Sequence, residues 1–338
     1  VKGLRVIGAD PASMSTYRRI DDAEFDRGLG AAPPWPHQPT VEWQVVGQCN
    51  YDCSYCIQSR THRQGIVADD ALRRAIRFFA GLPADHGPWE VKTTGGEPFS
   101  FRGFLDVVVP GLMDETPHRM GTLTNLSAPP AILKRFAART FGRLSIVSAS
   151  LHLEHTDVAS FLTRLSVLRE HIAEDARIVV NAVLVPDRLA AVAAARRAVV
   201  DAGFRFFPQL MKVKGGVFAY SPAQWAEVKG IVGDLEVAAQ TRSANLAPAY
   251  TDRRCFAGAR YLVVTKEGDA WSCRTAKRHD EGWLGNVYVD ADADPARAVR
   301  LHPGARACPY TICPCATPAN RGMIEGVPAR GVVVDEDA

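Results

Sequence analysis

Between residues 40 and 235, six short apolar runs alternate with helical patterns, and that alternation confines the chain to few architectures. The strand-like runs are 41–48, 90–94, 121–126, 144–151, 177–185 and 204–211. Helical patterns such as 69–80, 130–138, 158–171 and 189–202 lie between them. Each intervening helix returns the chain to the end where the previous strand began, so the strands are expected to pair in parallel. The expected fold is α/β, with six units making most of a (β/α) barrel. An open doubly wound sheet shares the pattern, and the alternation alone does not separate the two.

Residues 1–39 carry little periodicity and close in a proline-rich run at 32–36, which reads as an extended lead-in. After Lys229 the alternation ends. Strand-like runs at 261–265 and 270–273 flank Lys266-Glu267-Gly268-Asp269, where Gly and Asp suit a tight hairpin turn. The expected layout is an extension at 1–39, a partial barrel at 40–235, a small loop-rich domain at 236–325 and a frayed acidic tail at 326–338. A domain that small has a weak core, which a metal staple would reinforce.

Composition narrows the setting. Hydrophobic residues at 47% and charged residues at 23% are ordinary for a globular chain, which excludes a disordered one. The longest apolar stretches, 104–109 and 178–185, fall far short of a membrane span. With 40 basic against 37 acidic residues, the net charge of +3 gives no argument for nucleic acid. No charged segment leading into an apolar run opens the chain, so a cytoplasmic location without a membrane partner is expected. The eight cysteines then read as metal ligands or redox groups rather than disulfides.

Their spacing is uneven. Cys49, Cys53 and Cys56 follow the first strand, whereas Cys255, Cys273, Cys308, Cys313 and Cys315 fall in the last quarter. Two separate inorganic sites are the expectation. The first trio sits on one short loop, able to reach three corners of a cubane. A 4Fe–4S cluster usually takes four cysteines, and no fourth follows for roughly two hundred residues, which leaves one iron open to a non-protein ligand. A zinc knuckle closed by His62 is the alternative reading. The end of the second strand carries Thr93-Thr94-Gly95-Gly96-Glu97-Pro98. In a parallel barrel the loops after successive strands share one face. Glycines there allow close backbone approach, and Glu97 is suited to orienting an ammonium group.

The CxxxCxxC loop, with Tyr55 before its last cysteine, together with Gly-Gly-Glu-Pro some forty residues on, resembles the radical S-adenosylmethionine (SAM) superfamily. The resemblance implies that Cys49, Cys53 and Cys56 hold a 4Fe–4S cluster whose open iron is chelated by SAM. It implies that Gly95, Gly96, Glu97 and Pro98 receive the methionine amino group. At later strand ends, Thr124-Asn125 and Ser148-Ala149-Ser150 resemble the family's ribose and carboxylate contacts, and Gln209 lies where the last barrel strand lines the pocket. Asn125 and the serines also suit simple strand-end closure.

Cys255, a hairpin, Gly268 and Cys273 resemble the opening of the auxiliary-cluster domains called SPASM and twitch. Five thiols are too few for two more four-cysteine sites, so the truncated twitch form with one auxiliary 4Fe–4S cluster fits better. Cys313 and Cys315 are favoured to complete it with Cys255 and Cys273, with Cys308 as rival. A structural zinc there is the alternative.

Together these resemblances imply an enzyme that cleaves SAM to a 5′-deoxyadenosyl radical and removes a hydrogen atom from a carbinol carbon. The auxiliary cluster would take the second electron, giving a ketone. The implied relatives are radical SAM dehydrogenases of aminocyclitol and aminoglycoside antibiotic pathways, such as those for butirosin, hygromycin and spectinomycin. His152, Glu154 and Lys212 are candidate general bases; Glu154 and Asp157 could instead face a substrate amine. The partners expected are a small-molecule substrate and a reductase or flavodoxin-type electron donor. A peptide maturase is the rival, set back by the 48 residues before Cys49 being short for a peptide-recognition module of the usual ~80–100 residues. A non-catalytic iron–sulfur carrier or sensor is the third reading, against which Gly95 to Pro98 argue.

Overall fold

The structure is a computed structural model that describes residues 6–9, 18–20, 38–58, 61–85, 87–213, 216–232, 246–248, 250–310, 313 and 317–325. Six strands form where the apolar runs place them: β1 (Thr40–Val46), β2 (Glu90–Gly95), β3 (Arg119–Thr124), β4 (Leu144–Ser150), β5 (Arg177–Leu184) and β6 (Arg205–Leu210). Each pairs in parallel with the next in sequence. That order decides between the two architectures. A doubly wound sheet reverses direction at a switch point, whereas a sheet that keeps growing one way is an arc of a barrel. The chain has the α/β fold of a partial (β/α) barrel.

Helices α1 (Asp69–Ala80), α2 (Val109–Glu115), α3 (Pro130–Thr140), α4 (Val158–Arg169), α5 (Leu189–Asp201) and α6 (Pro222–Val232) accompany the strands. In α1, Leu72, Ala75, Ile76 and Phe79 recur at helical spacing and are buried, while Asp69 and Asp70 open the helix and Arg77 closes it, as the helix dipole favours. Trp43 of β1 meets Phe79 edge-to-face, with ring centroids 5.1 Å apart. The crossover between β2 and β3 is the one the sequence hides. There a π-helical turn, Phe104–Val108, runs into α2. Pro110 and Gly111 are poor helix formers, but a Cβ on Gly111 would lie 2.5 Å from Ile76 Cδ1, so the glycine admits α1 against α2.

Strand alternation splits the side chains between two faces. Val147, Ala149, Val180 and Ala182 join the main core, while Ile146, Val179 and Phe207 form a separate cluster on the opposite face, inside the arc. The arc continues past residue 235. Strand β7 (Tyr261–Val264) pairs in parallel with β1, and β8 (Asp269–Trp271) and β9 (Trp283–Asn286) add in antiparallel order. The β7–β8 turn is the expected hairpin, with Gly268 at φ +87 and its N–H donating to Thr265 O at 2.9 Å.

Helix α7 (Arg274–Arg278) follows β8. In two smaller sheets Arg254–Cys255 pairs with Arg306–Ala307, and Arg18–Ile20 pairs with Val6–Ala9 on one side and Leu246–Pro248 on the other. Residues 317–325 return to the barrel strands, where Arg321 ion-pairs with buried Glu90 at 2.7 Å. Burial opposes ionisation of Glu90, but Arg321, with Ser145, Lys92 and Arg177, outweighs it and holds the carboxyl below its usual range. The expected tail, 326–338, lies outside the described residues. Among the described residues, no helix is long and apolar enough to cross a membrane.

Candidate active site

The loop that follows β1 carries Cys49, half-buried, Cys53, buried, and Cys56, exposed. A turn closes it, Cys56 N donating to Cys53 O at 3.1 Å. Beside it lies the end of β2. Gly96 N donates to Val46 O at 3.0 Å and Glu97 N to Gln48 O at 2.9 Å, so the Gly-Gly-Glu backbone is bonded to the root of the cysteine loop. Here glycine is required: a Cβ on Gly96 would sit 2.0 Å from Gln48 O, and one on Gly95 (φ +147) 2.1 Å from Val46 O. Gln58, two residues past Cys56, donates its Nε2 to Gly95 O at 3.1 Å and ties the far end of the loop to the same strand end.

Glu97 is fully buried, and its carboxylate faces the protein. Oε1 accepts from Phe99 N at 3.0 Å and Thr124 Oγ1 at 2.8 Å, and Oε2 accepts from Asn125 N at 2.5 Å. Burial pushes its carboxyl up to about 7 despite those hydrogen bonds. The side chain expected to orient an ammonium therefore locks the ends of β2 and β3 together. Pro98 opens the 3₁₀ turn after it. Asn125 donates Nδ2 to Asn50 Oδ1 at 2.9 Å, joining β3 to the cysteine loop. The next residue, Leu126, takes φ +54, an uncommon conformation for a side chain of that size, at this junction.

The third wall is the loop after β4. Ser150 ends that strand, half-buried and in register with Asn181. Beyond it, His152 Nδ1 hydrogen-bonds Tyr55 OH at 2.8 Å, and Glu154 accepts from Ser54 N at 2.8 Å and Ser54 Oγ at 2.5 Å. His155 stacks on Tyr51 at 4.5 Å. Burial, and then the nearby His155, lower His152 to about 4, so its imidazole is neutral at physiological pH. Burial also pushes the Tyr55 hydroxyl far up. His152 and Glu154 thus meet the cysteine loop. Lys212 is exposed on the hairpin strand Lys212–Val213, outside those contacts, and Gln209 lies partly buried on β6 in register with Val183. Sequence reasoning missed Tyr51, Ser54, Gln58 and His155. Tyr51 and Ser54 lie inside the cysteine loop and Gln58 just beyond it, and that proximity was the available signal.

The donor set fits an iron–sulfur group. Burial raises Cys53 to about 12, and Cys49, Cys56 and Glu154 push the same way, so the thiols oppose one another's ionisation. A cationic metal centre reverses that and ionises them together. His62, the candidate fourth zinc ligand, instead shares a 2.7 Å hydrogen bond with Gln44.

In the C-terminal region Cys255 is buried beside Tyr250 and Ile324, with Cys313 packed on the same cluster. Cys273 is buried with Tyr261, Ala276 and Met323, against which Tyr310 packs. Ala257 touches both clusters. Cys308 pairs its backbone with Thr251 and Arg253. Cys315 lies outside the described residues.

No family model matches the chain. It is similar to the solved structure of native anSMEcpe with bound AdoMet and Cp18Cys peptide, at 14% identity and TM-score 0.50, over 76% of this chain and 79% of that one. It is similar to Streptococcus suis SuiB bound to S-adenosylmethionine, at 15% identity and TM-score 0.50, over 78% and 67% of the two chains. BtrN in complex with AdoMet and 2-DOIA matches at 13% identity and TM-score 0.41, over 77% and 82%. The first two likenesses show the fold alone, a partial (β/α) barrel.

Proposed function

We propose that this chain is a radical SAM dehydrogenase that oxidises a secondary alcohol of a small polar intermediate, of the aminocyclitol or aminoglycoside class, to a ketone. One observation carries the reading. The loop bearing Cys49, Cys53 and Cys56 is hydrogen-bonded along its root to Gly96 and Glu97, so three thiols and the Gly-Gly-Glu backbone share one barrel end. When bound, a 4Fe–4S cluster with AdoMet supplies a hydrogen-atom abstractor, and an auxiliary cluster at the C-terminal cysteines supplies an electron sink.

The chain's own residues do the rest. Gln58 and Asn125 brace the cysteine loop against β2 and β3. Conversion of CH–OH to C=O releases one hydrogen atom, one proton and one electron. His152, neutral and in the tautomer with Nδ1 donating to Tyr55, is the proposed relay for that proton. Its Nε2 lone pair can receive the proton and pass it on, since burial keeps the imidazole too weak a base to hold it. Cys255, Cys273 and Cys313, with Cys315 or Cys308, are the proposed auxiliary ligands. A reductase or flavodoxin-type protein is the proposed electron donor, in the cytoplasm.

The peptide in the anSMEcpe structure supports a second reading, a maturase acting on a peptide. The test is anaerobic reconstitution of the full chain, reduction, and assay for 5′-deoxyadenosine. Formation of that product, stimulated by aminocyclitols and not by peptides, is expected. Stimulation by a peptide instead selects the maturase. No 5′-deoxyadenosine from a chain with its clusters intact overturns both and leaves an electron carrier.

A further inference from the structure

We propose that Glu154 is a positioning residue that keeps the cluster at Cys49, Cys53 and Cys56 strongly reducing, an inference that rests on the reading of those thiols as cluster ligands. The Cys53 Sγ, a Glu154 carboxylate oxygen and a His155 ring nitrogen all lie within 4.8 Å of one another. Glu154 is therefore the anionic side chain set directly against a ligand sulfur. It also takes both donors of Ser54, the residue after that ligand, through contacts of 2.8 and 2.5 Å.

Two effects follow, and they have the same sign. Hydrogen bonds to cluster sulfurs raise the reduction potential. The Ser54 N–H, one residue beyond a ligand, is given to Glu154 and so is withheld from any sulfur. A fixed negative charge beside the cluster disfavours the added electron, which lowers the potential again. Arg188, exposed at the start of α5, helps keep Glu154 ionised, while its own positive charge offsets part of the carboxylate's effect on the cluster. The purpose is chemical: one-electron cleavage of a sulfonium needs a strong reductant, and a carboxylate held against the cluster provides that bias without entering the reaction.

The experiment is a redox titration of the reconstituted full chain followed by electron paramagnetic resonance, reading the signal that AdoMet perturbs. Glu154→Gln keeps the shape and an acceptor for Ser54 but removes the charge, and its midpoint is expected to be more positive than that of the wild type. Glu154→Asp keeps the charge and is expected to stay near the wild type. If Glu154→Gln loses the cluster, Arg188→Ala supplies the reading, with a more negative midpoint expected. An unmoved or oppositely moved midpoint in these variants overturns the role of Glu154. Absence of any AdoMet-perturbed signal in the wild type defeats instead the assignment of the cysteine trio.

Discussion

Arg274 Nε donates to Glu42 Oε2 at 2.5 Å across 232 residues of sequence, which binds the residue after Cys273 to the inner face of β1. Glu42 is 2% exposed and accepts also from Tyr261 OH at 3.0 Å and Thr317 Oγ1 at 3.1 Å. One carboxylate thus gathers three residues of the C-terminal region onto the strand that leads to Cys49. Removing it takes an acceptor from a guanidinium and two hydroxyls at once. Glu42→Ala is expected to cost about 2–4 kcal/mol, toward the low end of a broken buried pair because Arg274 is partly exposed. Arg274→Met, which keeps most of the stem packing, is expected to cost less. Equilibrium denaturation of both variants checks the order.

A second prediction concerns pH and two groups that oppose each other. Glu97 is raised from 4.5 to about 7, so between those values the folded chain holds a proton that the unfolded chain has released. Its contribution is greatest at low pH and is lost as pH rises through 7. His152 is lowered from 6.5 to about 4, so the unfolded chain binds the extra proton. Its contribution is present above 6.5 and lost as pH falls toward 4. The two nearly cancel between pH 4.5 and 6.5, each worth roughly 1–3 kcal/mol. Relative to wild type, Glu97→Gln should gain stability as pH rises from 4.5 to about 7, and His152→Asn should lose it as pH rises from about 4 to 6.5. Parallel curves for all three proteins would show that neither group is shifted.

How much of this was legible is clearest at particular residues. Helix α1 spans 69–80, as its apolar spacing and acidic start foretell, because burial of one face decides a helix that is otherwise ordinary. The strand ends carrying Cys49 and Gly95 were equally legible. Helix α2 was not, because Pro110-Gly111 argues against a helix locally while the packing on Ile76 that permits one is tertiary. The partners of the cysteine loop lie about a hundred residues away: Ser54 with Glu154, Tyr55 with His152. No local pattern encodes such pairs. Glu97 was singled out for its charge, yet its oxygens serve Phe99, Thr124 and Asn125, which only the approach of β2 to β3 reveals.

Two glycines make a third prediction by contrast. A Cβ at position 96 meets the Gln48 carbonyl, backbone that cannot step aside without moving Cys49. Gly96→Ala is expected to cost about 1–3 kcal/mol through overpacking and to lower the iron bound per chain. Gly230, inside α6, has nothing within 4 Å of its Cβ position. Gly230→Ala is expected to gain roughly 0.5–1 kcal/mol, with iron unchanged. Thermal melts and iron analysis of the two variants separate a site-specific glycine from a tolerated one.

The last prediction separates the two proposed clusters. Cys273 caps α7, its Sγ accepting from Ala276 N at 3.2 Å, and it directly precedes Arg274. Cys273→Ala would remove cap and ligand together, confounding fold with function. Cys273→Ser keeps a good helix cap, so α7 and the Arg274–Glu42 contact should survive while the thiolate is lost. Iron is expected to fall from about eight atoms per chain to about four, the content of a single cubane. With substrate present, 5′-deoxyadenosine should still form, because the cysteine trio after β1 is untouched. Ketone should not, because the electron left on the substrate has no acceptor. Unchanged ketone yield in this variant would remove the C-terminal cysteines from the electron path, and loss of 5′-deoxyadenosine with ketone would tie them to the first site instead.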